Sequence, residues 1–394
     1  MAGYFRKTTV STDGIGKLKY SADYADLQAA FDDLVSGDTL FVNSDYTLTN
    51  TVNLSVPDVN VLGKGSTIRP STNGSPSPLI RIKNTNTQKT IYDILISGIK
   101  FKNASGTSDG NGNGTAIEIV DQYPNPNDGW VWHMKLEDLN ISNFAKGVLL
   151  EGAFDVVINN CNISQNEIGL RCETLNTNRT AGQIKLFGGF FIHNRYHISI
   201  DGASGTEFDD ISLFGVTMGH QREGVSGGAI GIYVGKSTGG LFLLGNHLED
   251  LASGIYEASG VFVATASIFG SKLLEISGSG VDTNDGSGLG SLSLIGNSFH
   301  ASEGGGVLYK TPYTTQGVLI GGNLRSSGNV EPPIGILEHS PTDNKSAFRL
   351  PTYSDSTRPS AGSMPVGSLI RNSSSNKLNV SDGSNWRDAD GNIV

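Results

Sequence analysis

The stretch Leu241–Leu248, which reads LFLLGNHL, contains the pattern that decides the fold. Inward-facing side chains are predicted at its first, third, sixth and eighth places, which are Leu241, Leu243, Asn246 and Leu248. Alternation with a period of two on both sides of a short break indicates two short strands, each with one buried face. The two-residue break keeps the inward-facing side chains of both strands on the same side of a bend, so the stretch is predicted to form one rung of a coil.

Eight further copies of this pattern lie along the chain, roughly 20 to 40 residues apart. The fifth places of the nine copies are Gly98, Asp138, Asn160, Gly188, Gly215, Gly245, Thr265, Gly296 and Gly321. A second apolar strand follows within each interval, for example around Ile168 and Leu170. No such rung can bury its apolar face until its neighbours stack on it, so the repeat predicts an all-β solenoid, a parallel β-helix. A leucine-rich-repeat horseshoe lacks support, because its fixed leucine spacing and helical half-repeat are missing.

The composition suits a long, thin core. The 394 residues include 52 glycines, with 37% hydrophobic and 17% charged residues. The formal net charge is −10 and the 28 basic residues are dispersed, which argues against nucleic-acid and membrane surfaces and favours a neutral or weakly charged partner. Without a run of about 18 apolar residues or an apolar leader, we expect a soluble protein made without a signal peptide. Cys161 and Cys172 fall at inward places and are predicted to be buried thiols.

The N-terminal region divides into an arm and a cap. Residues 1–22 are polar and too short for a core, and we expect an arm that serves for attachment. From Tyr24 to Val35, the side chains of Leu27, Phe31 and Leu34 share one helical face. An amphipathic helix laid across the open end of the first rung hides its unpaired strand edges, so this helix is predicted to cap the solenoid.

The run Ala25–Pro70 combines this helix, a Gly-Asp step before a strand and the turn GKGST at Gly63–Thr67. In these features it resembles the opening of the pectate-lyase-like β-helix superfamily, which includes bacteriophage tailspikes and depolymerases. The resemblance implies a right-handed parallel β-helix, here expected over residues 23–340. It implies little about activity, because the superfamily contains lyases, hydrolases, esterases and adhesins.

The last part of the chain is predicted to be a separate small β module. Residues 341–364, rich in Pro and Ser, are interpreted as a linker. Residues 365–394 contain two expected strands, 368–372 and 377–380, joined as a hairpin. This segment is similar to a β module found at the ends of bacteriophage tail proteins, and the similarity is carried by Pro365, Gly367, Ile370, Asn372, Leu378, Val380, Asp382, Gly383 and Trp386. Because a hairpin of this size is marginal alone, we expect a cap or a clasp between subunits.

Outward places of the repeat carry a run of large apolar side chains. Four of them are Phe187, Phe214, Phe242 and Phe262. A monomer rarely exposes an apolar stripe that extends over several rungs. We expect the stripe to form the interface of a homotrimer, which is the most natural closed assembly of a straight prism. The alternative is that a loop covers it.

A column of acids and aromatic residues is predicted on the second strands. Their outward positions at successive rungs are Glu151, Glu173, Asp201, Tyr233 and Tyr256. Stacked strands place neighbouring carboxylates about 5 Å apart and alternate ones about 10 Å apart, which brackets the spacings in retaining and inverting glycoside hydrolases. Acids followed by aromatic rings also suit a sugar chain, because they accept hydrogen bonds from hydroxyls and pack on ring faces. The alternative is that the acids simply occupy solvent-facing corners.

Other residues are candidates for catalysis or binding, although fewer features of the sequence support them. His247 and Glu249 lie two apart on one strand face and are expected either to pair or to remain separately solvated. Trp130 and Trp132 fall in the longest interval between copies and are expected to form a wall of the binding groove. Motifs for an esterase-type serine, a nucleotide or a metal are missing. We therefore expect no cofactor and no bound metal.

Together these features predict a virion-associated protein of the tailspike or tail-fibre type that recognises host-surface carbohydrate and contacts other virion proteins through its N-terminal arm. If it is an enzyme, a polysaccharide depolymerase is expected. A glycoside hydrolase is favoured over a lyase, because Arg171 is the one basic residue expected near the acids. Two of Glu151, Glu173 and Asp201 would then act as acid and as base or nucleophile. The alternative is a non-enzymatic structural or decoration protein of the virion.

Overall fold

The chain folds as a right-handed parallel β-helix with an N-terminal capping helix and a small C-terminal sheet, as predicted. The computed structural model describes residues 16–84, 90–103, 113–121, 130–174, 181–202, 208–220, 228–258, 261–277, 279–283, 288–301, 307–310, 317–321, 324–327, 336–340, 345–349, 352–364 and 366–394. The arm predicted for residues 1–22 lies mostly outside these ranges. Its last residues, Leu18–Tyr20, pair in parallel with Thr39–Val42 as the first strand of the solenoid.

Each turn of the β-helix contributes one strand to each of three sheets, which we call sheets A, B and C. Sheet A contains, in stacking order, Leu18–Tyr20, Thr39–Val42, Asn60–Gly63, Ile91–Ser97, Val131–Glu137, Phe154–Asn159, Gly182–Phe187, Phe208–Phe214, Thr238–Leu244, Phe262–Phe269, Gly288–Ile295, Gly317–Gly321, Ile336–Ser340 and Lys345–Arg349. Sheet B contains Tyr46–Leu48, Thr67–Pro70, Lys100–Lys102, Asn140–Ser142, Asn162–Ser164, Phe190–Ile192, Thr217–Gly219, His247–Glu249, Lys272–Ile276, Ser298–Ala301 and Leu324–Ser327. Sheet C contains Val52–Leu54, Ile80–Lys83, Thr115–Val120, Lys146–Glu151, Ile168–Thr174, Tyr196–Gly202, Ile230–Val234, Ser253–Glu257, Ser279–Thr283 and Val307–Lys310. The strands pair in parallel, except that the last two of sheet A form an antiparallel pair.

The fifth place of the repeat forms the corner between sheets A and B. The backbone there is left-handed, with φ of +65° at Gly245, +70° at Gly98 and +66° at Gly296. Asp138 and Asn160 adopt the same conformation, with φ of +52° and +50°. Glycine tolerates this region freely, and Asn and Asp tolerate it better than other residues. The corner geometry therefore explains the residue types at this place.

Two copies of the repeat are shifted from their predicted positions. The structure pairs Leu241 with Ala266 rather than with Val261, and the corner residue is Gly270, with φ of +56°, instead of Thr265. In the last copy, Val318 rather than Gly317 pairs with Leu292. In the first case Ala266 and Ile268 fit either the second or the first pair of inward places, and the corner glycine Gly270 distinguishes the two registers.

The core is a stack of aliphatic and aromatic side chains, with asparagines at some sixth places. Asn246 is 1% exposed, and its Oδ1 accepts from Val216 N (2.8 Å) while its Nδ2 donates to Leu213 O (3.1 Å). Asn297, also buried, accepts from Ser271 N (2.9 Å) and donates to Ile268 O (2.9 Å). These amides hydrogen-bond to backbone N–H and C=O groups at the A–B corner, and these bonds compensate the burial of a polar side chain at this inward place.

The capping helix spans Leu27–Asp32, shorter than the segment predicted, and buries Leu27 and Phe31. Asp26 caps it by accepting from Ala29 N (2.8 Å). Gln28 reaches the first strand of sheet C, where its Oε1 accepts from Asn53 N (2.7 Å) and its Nε2 donates to Asn53 O (3.2 Å). The amide side chain thus makes the pair of bonds that a further strand would make, which blocks this edge.

The acidic side chain of Glu257 lies inside the solenoid. Glu257 is 1% exposed, and its backbone pairs in register with Val234 and Thr283, in an inward column of sheet C that also contains Ile200. Neither of its carboxylate oxygens has a hydrogen-bond partner among the described residues. An unpaired carboxylate in such surroundings favours the neutral form.

The C-terminal sheet is formed by Thr352–Tyr353, Leu369–Asn372, Lys377–Ser381 and Trp386–Asp388. Thr352–Tyr353 pairs in parallel with Arg371–Asn372, and the 3-10 helix Ala361–Ser363 packs on Ile370 and Trp386. The Trp386 indole also donates to Pro359 O (2.8 Å). Residues 352–364, assigned above to the linker, therefore take part in this unit. Pro365 lies outside the described residues, and the domain boundaries otherwise stay predictions.

Candidate functional site

The three predicted carboxylates lie on the outer face of sheet C. Register pairs Glu151 with Glu173 and Glu173 with Asp201, so they occupy one column on three successive rungs. We call them the acid column. Neighbouring strands of a sheet are about 4.8 Å apart, so the Cα atoms of adjacent members are about 5 Å apart and those of the outer two about 10 Å apart. The structure brings the three side chains together, and their catalytic role stays a prediction.

Arg171 lies between two members of the acid column. Its Nε contacts Glu173 Oε1, and its Nη2 lies 3.2 Å from Asp201 Oδ2. Lys146 Nζ adds a longer contact of 3.9 Å to Glu173 Oε1. The guanidinium therefore holds two carboxylates in fixed positions and compensates part of their charge.

Glu151 differs from its neighbours in its surroundings. Burial raises the pKa of its carboxyl above the usual value, and the negative charges of Glu118 and Glu173 raise it further. Lys146 and Arg81 act in the opposite direction. The environment of Glu151 thus favours the protonated form, which is the form that a general acid needs.

The predicted tyrosines lie in a second column, not in line with the acids. Tyr233 pairs with Ser199, two residues before Asp201, and Tyr256 follows on the next rung. Their rings stack, with centroids 5.9 Å apart and planes at 11°. The pKa of Tyr233 is raised by burial and then by the charge of Asp201. The single column expected from the sequence is corrected to two adjacent columns.

Sequence reasoning missed three residues of this face. Tyr196 meets Tyr233 edge-on, with ring centroids 5.3 Å apart. At the other end, Arg81 Nε contacts Glu118 Oε2, and both lie in the same register column as Arg171 and Tyr233. For Arg81 and Glu118, the position two residues before the acid column in each strand was the available indication.

His247 and Glu249 lie on sheet B, away from the acid column. Their side chains meet, with His247 Nε2 3.3 Å from Glu249 Oε2. The strand His247–Glu249 belongs to a different face of the prism from sheet C. The structure therefore does not join this pair to the carboxylates, and its binding role stays a prediction.

The predicted tryptophans lie at the start of a sheet A strand. Trp130 meets Phe154 edge-on, with ring centroids 6.4 Å apart. Trp132 is 37% exposed and stacks on His133, with centroids 4.0 Å apart. The strands of sheet A begin where those of sheet C have ended, so both tryptophans are near the C–A corner.

The aromatic stripe lies on the outer face of sheet A. Phe187 and Phe214 stack with centroids 4.9 Å apart, and Phe242 lies 5.6 Å from Phe214. The next member is Phe269, 5.7 Å from Phe242, and not Phe262. Phe262 precedes Ser267, the partner of Phe242, by five residues, which is about 16 Å along the strand. Its assignment to the stripe was wrong because of the register shift described above.

The residues that the structure describes contain neither a metal-binding cluster nor a membrane-spanning helix. Among these residues, no group of three or more His, Cys, Asp and Glu side chains is arranged to hold a metal ion. No helix among the described residues is long and apolar enough to cross a bilayer. Cys161 and Cys172 are both buried, as predicted, and both are free thiols.

Comparisons with known proteins match the fold. No family model matches the chain, and no curated protein matches its sequence. Among solved structures, "Geobacillus virus E2 - ORF18" is 13% identical with a TM-score of 0.55, over 92% of this chain and 79% of that one. Tailspike protein 3 of bacteriophage CBA120 is 12% identical with a TM-score of 0.40, over 96% and 70%. The A-module of the Azotobacter vinelandii mannuronan C-5 epimerase AlgE6 is 12% identical with a TM-score of 0.29, over 80% and 92%. The likeness to ORF18 supports the β-helix fold predicted from the sequence.

Proposed function

We propose that the chain is a bacteriophage tail protein of the spike or fibre type, and that the outer face of sheet C binds host-surface carbohydrate. The fold shared with a viral protein and the two resemblances in the sequence support the virion assignment. The observation that carries carbohydrate recognition is the pair of adjacent columns on sheet C, in which fixed carboxylates lie beside stacked tyrosines.

The two columns supply complementary contacts for a sugar chain. Carboxylates of the acid column accept hydrogen bonds from ring hydroxyls, and Arg171 donates to sugar oxygens while it orients Glu173 and Asp201. The rings of Tyr233 and Tyr256 offer flat apolar surfaces to pyranose faces. Because the columns repeat rung by rung, an extended polymer would lie along the solenoid axis.

A second candidate function, cleavage of the bound polymer, is favoured by the raised pKa of Glu151 beside Glu173. In a glycoside hydrolase the protonated acid donates to the leaving oxygen, while a second carboxylate attacks the sugar or activates water. Glu151 would be the acid, with Glu173 or Asp201 as its partner. The ion pairs of Arg171 lower the nucleophilicity of both partners, so recognition remains the primary proposal.

Binding and sizing experiments test these functions together. Purified protein is titrated with capsular and O-antigen polysaccharides from candidate hosts, alongside Tyr233→Ala and, as control, Phe190→Ala on sheet B. We expect binding that the Tyr233 variant weakens about tenfold and the control leaves unchanged. Chain shortening that disappears in Glu151→Gln and in at least one of Glu173→Gln and Asp201→Asn supports the hydrolase, whereas intact bound polymer supports an adhesin. No binding to any polysaccharide would favour a purely structural virion protein.

We also propose that the stripe Phe187, Phe214, Phe242 and Phe269 forms a homotrimer interface. Stacked, partly exposed rings on four rungs are a larger apolar surface than a monomer usually leaves in water. Sedimentation should give three times 41.5 kDa, about 125 kDa. Phe214→Glu should dissociate the assembly, and Phe190→Glu should not. A wild-type monomer would contradict this proposal.

A further inference from the structure

Four strands of sheet A contain an unusual residue near their start. Asp93, His133, Asp155 and Gln183 have left-handed backbones, with φ of +53°, +54°, +52° and +53°. They lie on four successive strands, immediately before the first buried residue of each repeat. Non-glycine residues rarely adopt this conformation, and a run of them indicates a bulge repeated from rung to rung.

The bulge turns two consecutive side chains to the same face. In a regular strand neighbouring side chains point to opposite faces, yet Trp132 and His133 are both exposed and stack at 4.0 Å, while Val131 and Met134 on either side are buried. The outer face of sheet A thus presents two side-by-side columns. One column is aromatic, and register aligns its members as Tyr92, Trp132 and Phe154.

The second column is polar and internally bonded. His133 lies between two acids, with Nδ1 3.4 Å from Asp93 Oδ1 and Nε2 2.8 Å from Asp155 Oδ2. Lys185 Nζ donates to Asp155 Oδ1 at 2.9 Å. Because each carboxylate oxygen has two acceptor positions, Asp155 can still accept from a ligand hydroxyl. These contacts fix the polar groups beside the aromatic rings before any ligand arrives.

We propose that these two columns form a second saccharide subsite, which takes a neutral sugar ring stacked on Trp132. This inference rests on the proposed function, because it extends the same polymer-binding surface around the C–A corner. Only Gly152 and Ala153 separate Glu151, at the end of its sheet C strand, from Phe154 in sheet A. A polymer leaving the acid column therefore reaches the aromatic column at that corner.

Charge and size select the ligand class. Asp93 and Asp155 place two carboxylates in this column, and the ammonium of Lys185 is already bonded to Asp155, which disfavours uronic and sialic acids. Three rungs at about 4.8 Å make the aromatic column about 10 Å long, enough for a pair of pyranose rings. The rings supply stacking surface, and the polar column orients the hydroxyls.

A glycan array of neutral, amino and acidic bacterial oligosaccharides tests the subsite, followed by titration of the best wild-type ligand. Trp132→Ala should weaken binding of a neutral glycan about tenfold, and Trp132→Phe should restore most of it. His133→Asn keeps a residue that tolerates the left-handed backbone but removes the imidazole, and should weaken binding several-fold. Phe190→Ala should have no effect, and circular dichroism melts verify that each variant folds.

Three outcomes would overturn the inference. If wild-type protein binds only acidic glycans, or if Trp132→Ala and His133→Asn bind like wild type while Tyr233→Ala does not, the second subsite is wrong and the sheet C proposal stands. If the wild-type protein binds no glycan at all, both proposals fail.

Discussion

The buried Glu257 makes the stability of the solenoid depend on pH. Burial raises the pKa of its carboxyl from 4.5 to about 7. Because the folded-state pKa is above the unfolded one, the folded protein binds the extra proton, and the associated stability is present below about pH 4.5 and lost as pH rises through about 7. At about 1.4 kcal/mol per pH unit, this difference corresponds to about 3 kcal/mol.

Glu257→Gln should remove this pH dependence, because the glutamine amide has the same shape as the carboxyl group but does not ionise. We expect the variant to match wild type near pH 4.5 and to be about 3 kcal/mol more stable at pH 8, measured by urea unfolding at a series of pH values. Glu275→Gln is the matched control, since Glu275 is exposed in the same region of the solenoid. Equal pH dependence in wild type and Glu257→Gln would refute the reasoning.

Three further predictions follow from the fold. Gly98→Ala should destabilise by about 2 kcal/mol more than Gly270→Ala in urea unfolding, because both backbones are left-handed but only at Gly98 would a Cβ lie 2.2 Å from a backbone oxygen. Asn246→Ala should cost about 2 to 4 kcal/mol, since it leaves a buried N–H and a buried C=O unpaired; a thermal midpoint equal to wild type would contradict this. Burial raises the pKa of Cys161 to about 12 and also raises that of Cys172, so iodoacetamide at pH 8 should label both in urea and neither in the native protein.

The repeat could be predicted from the sequence because it is set by local physics. A corner that requires a left-handed backbone favours Gly, Asn or Asp. A strand with one buried face favours alternating apolar and polar residues. Both patterns can therefore be read from the sequence. The shift at Thr265 shows where this fails, because Ala266 and Ile268 fit either the second or the first pair of inward places of the repeat. The glycine at Gly270, which matches Gly245, was the better guide.

The candidate site was only partly predictable, because its shape depends on pairing between rungs. The acids fell in one column as expected, but Tyr233 lies beside Asp201 rather than above it, since the strand register places it over Ser199. The bulge that turns Trp132 and His133 to one face depends on a backbone conformation that alternation does not reveal. A run of Asp and His before the buried residues, types that tolerate positive φ, was its only trace.

The most direct test of the account is a structure of the protein with an oligosaccharide fragment of a polysaccharide that it binds. We predict sugar rings on the outer face of sheet C, packed on Tyr233 and Tyr256 with hydroxyls at Glu173 and Asp201. A ligand seated on sheet B, or an unchanged sheet C face at saturating ligand, would contradict the central claim.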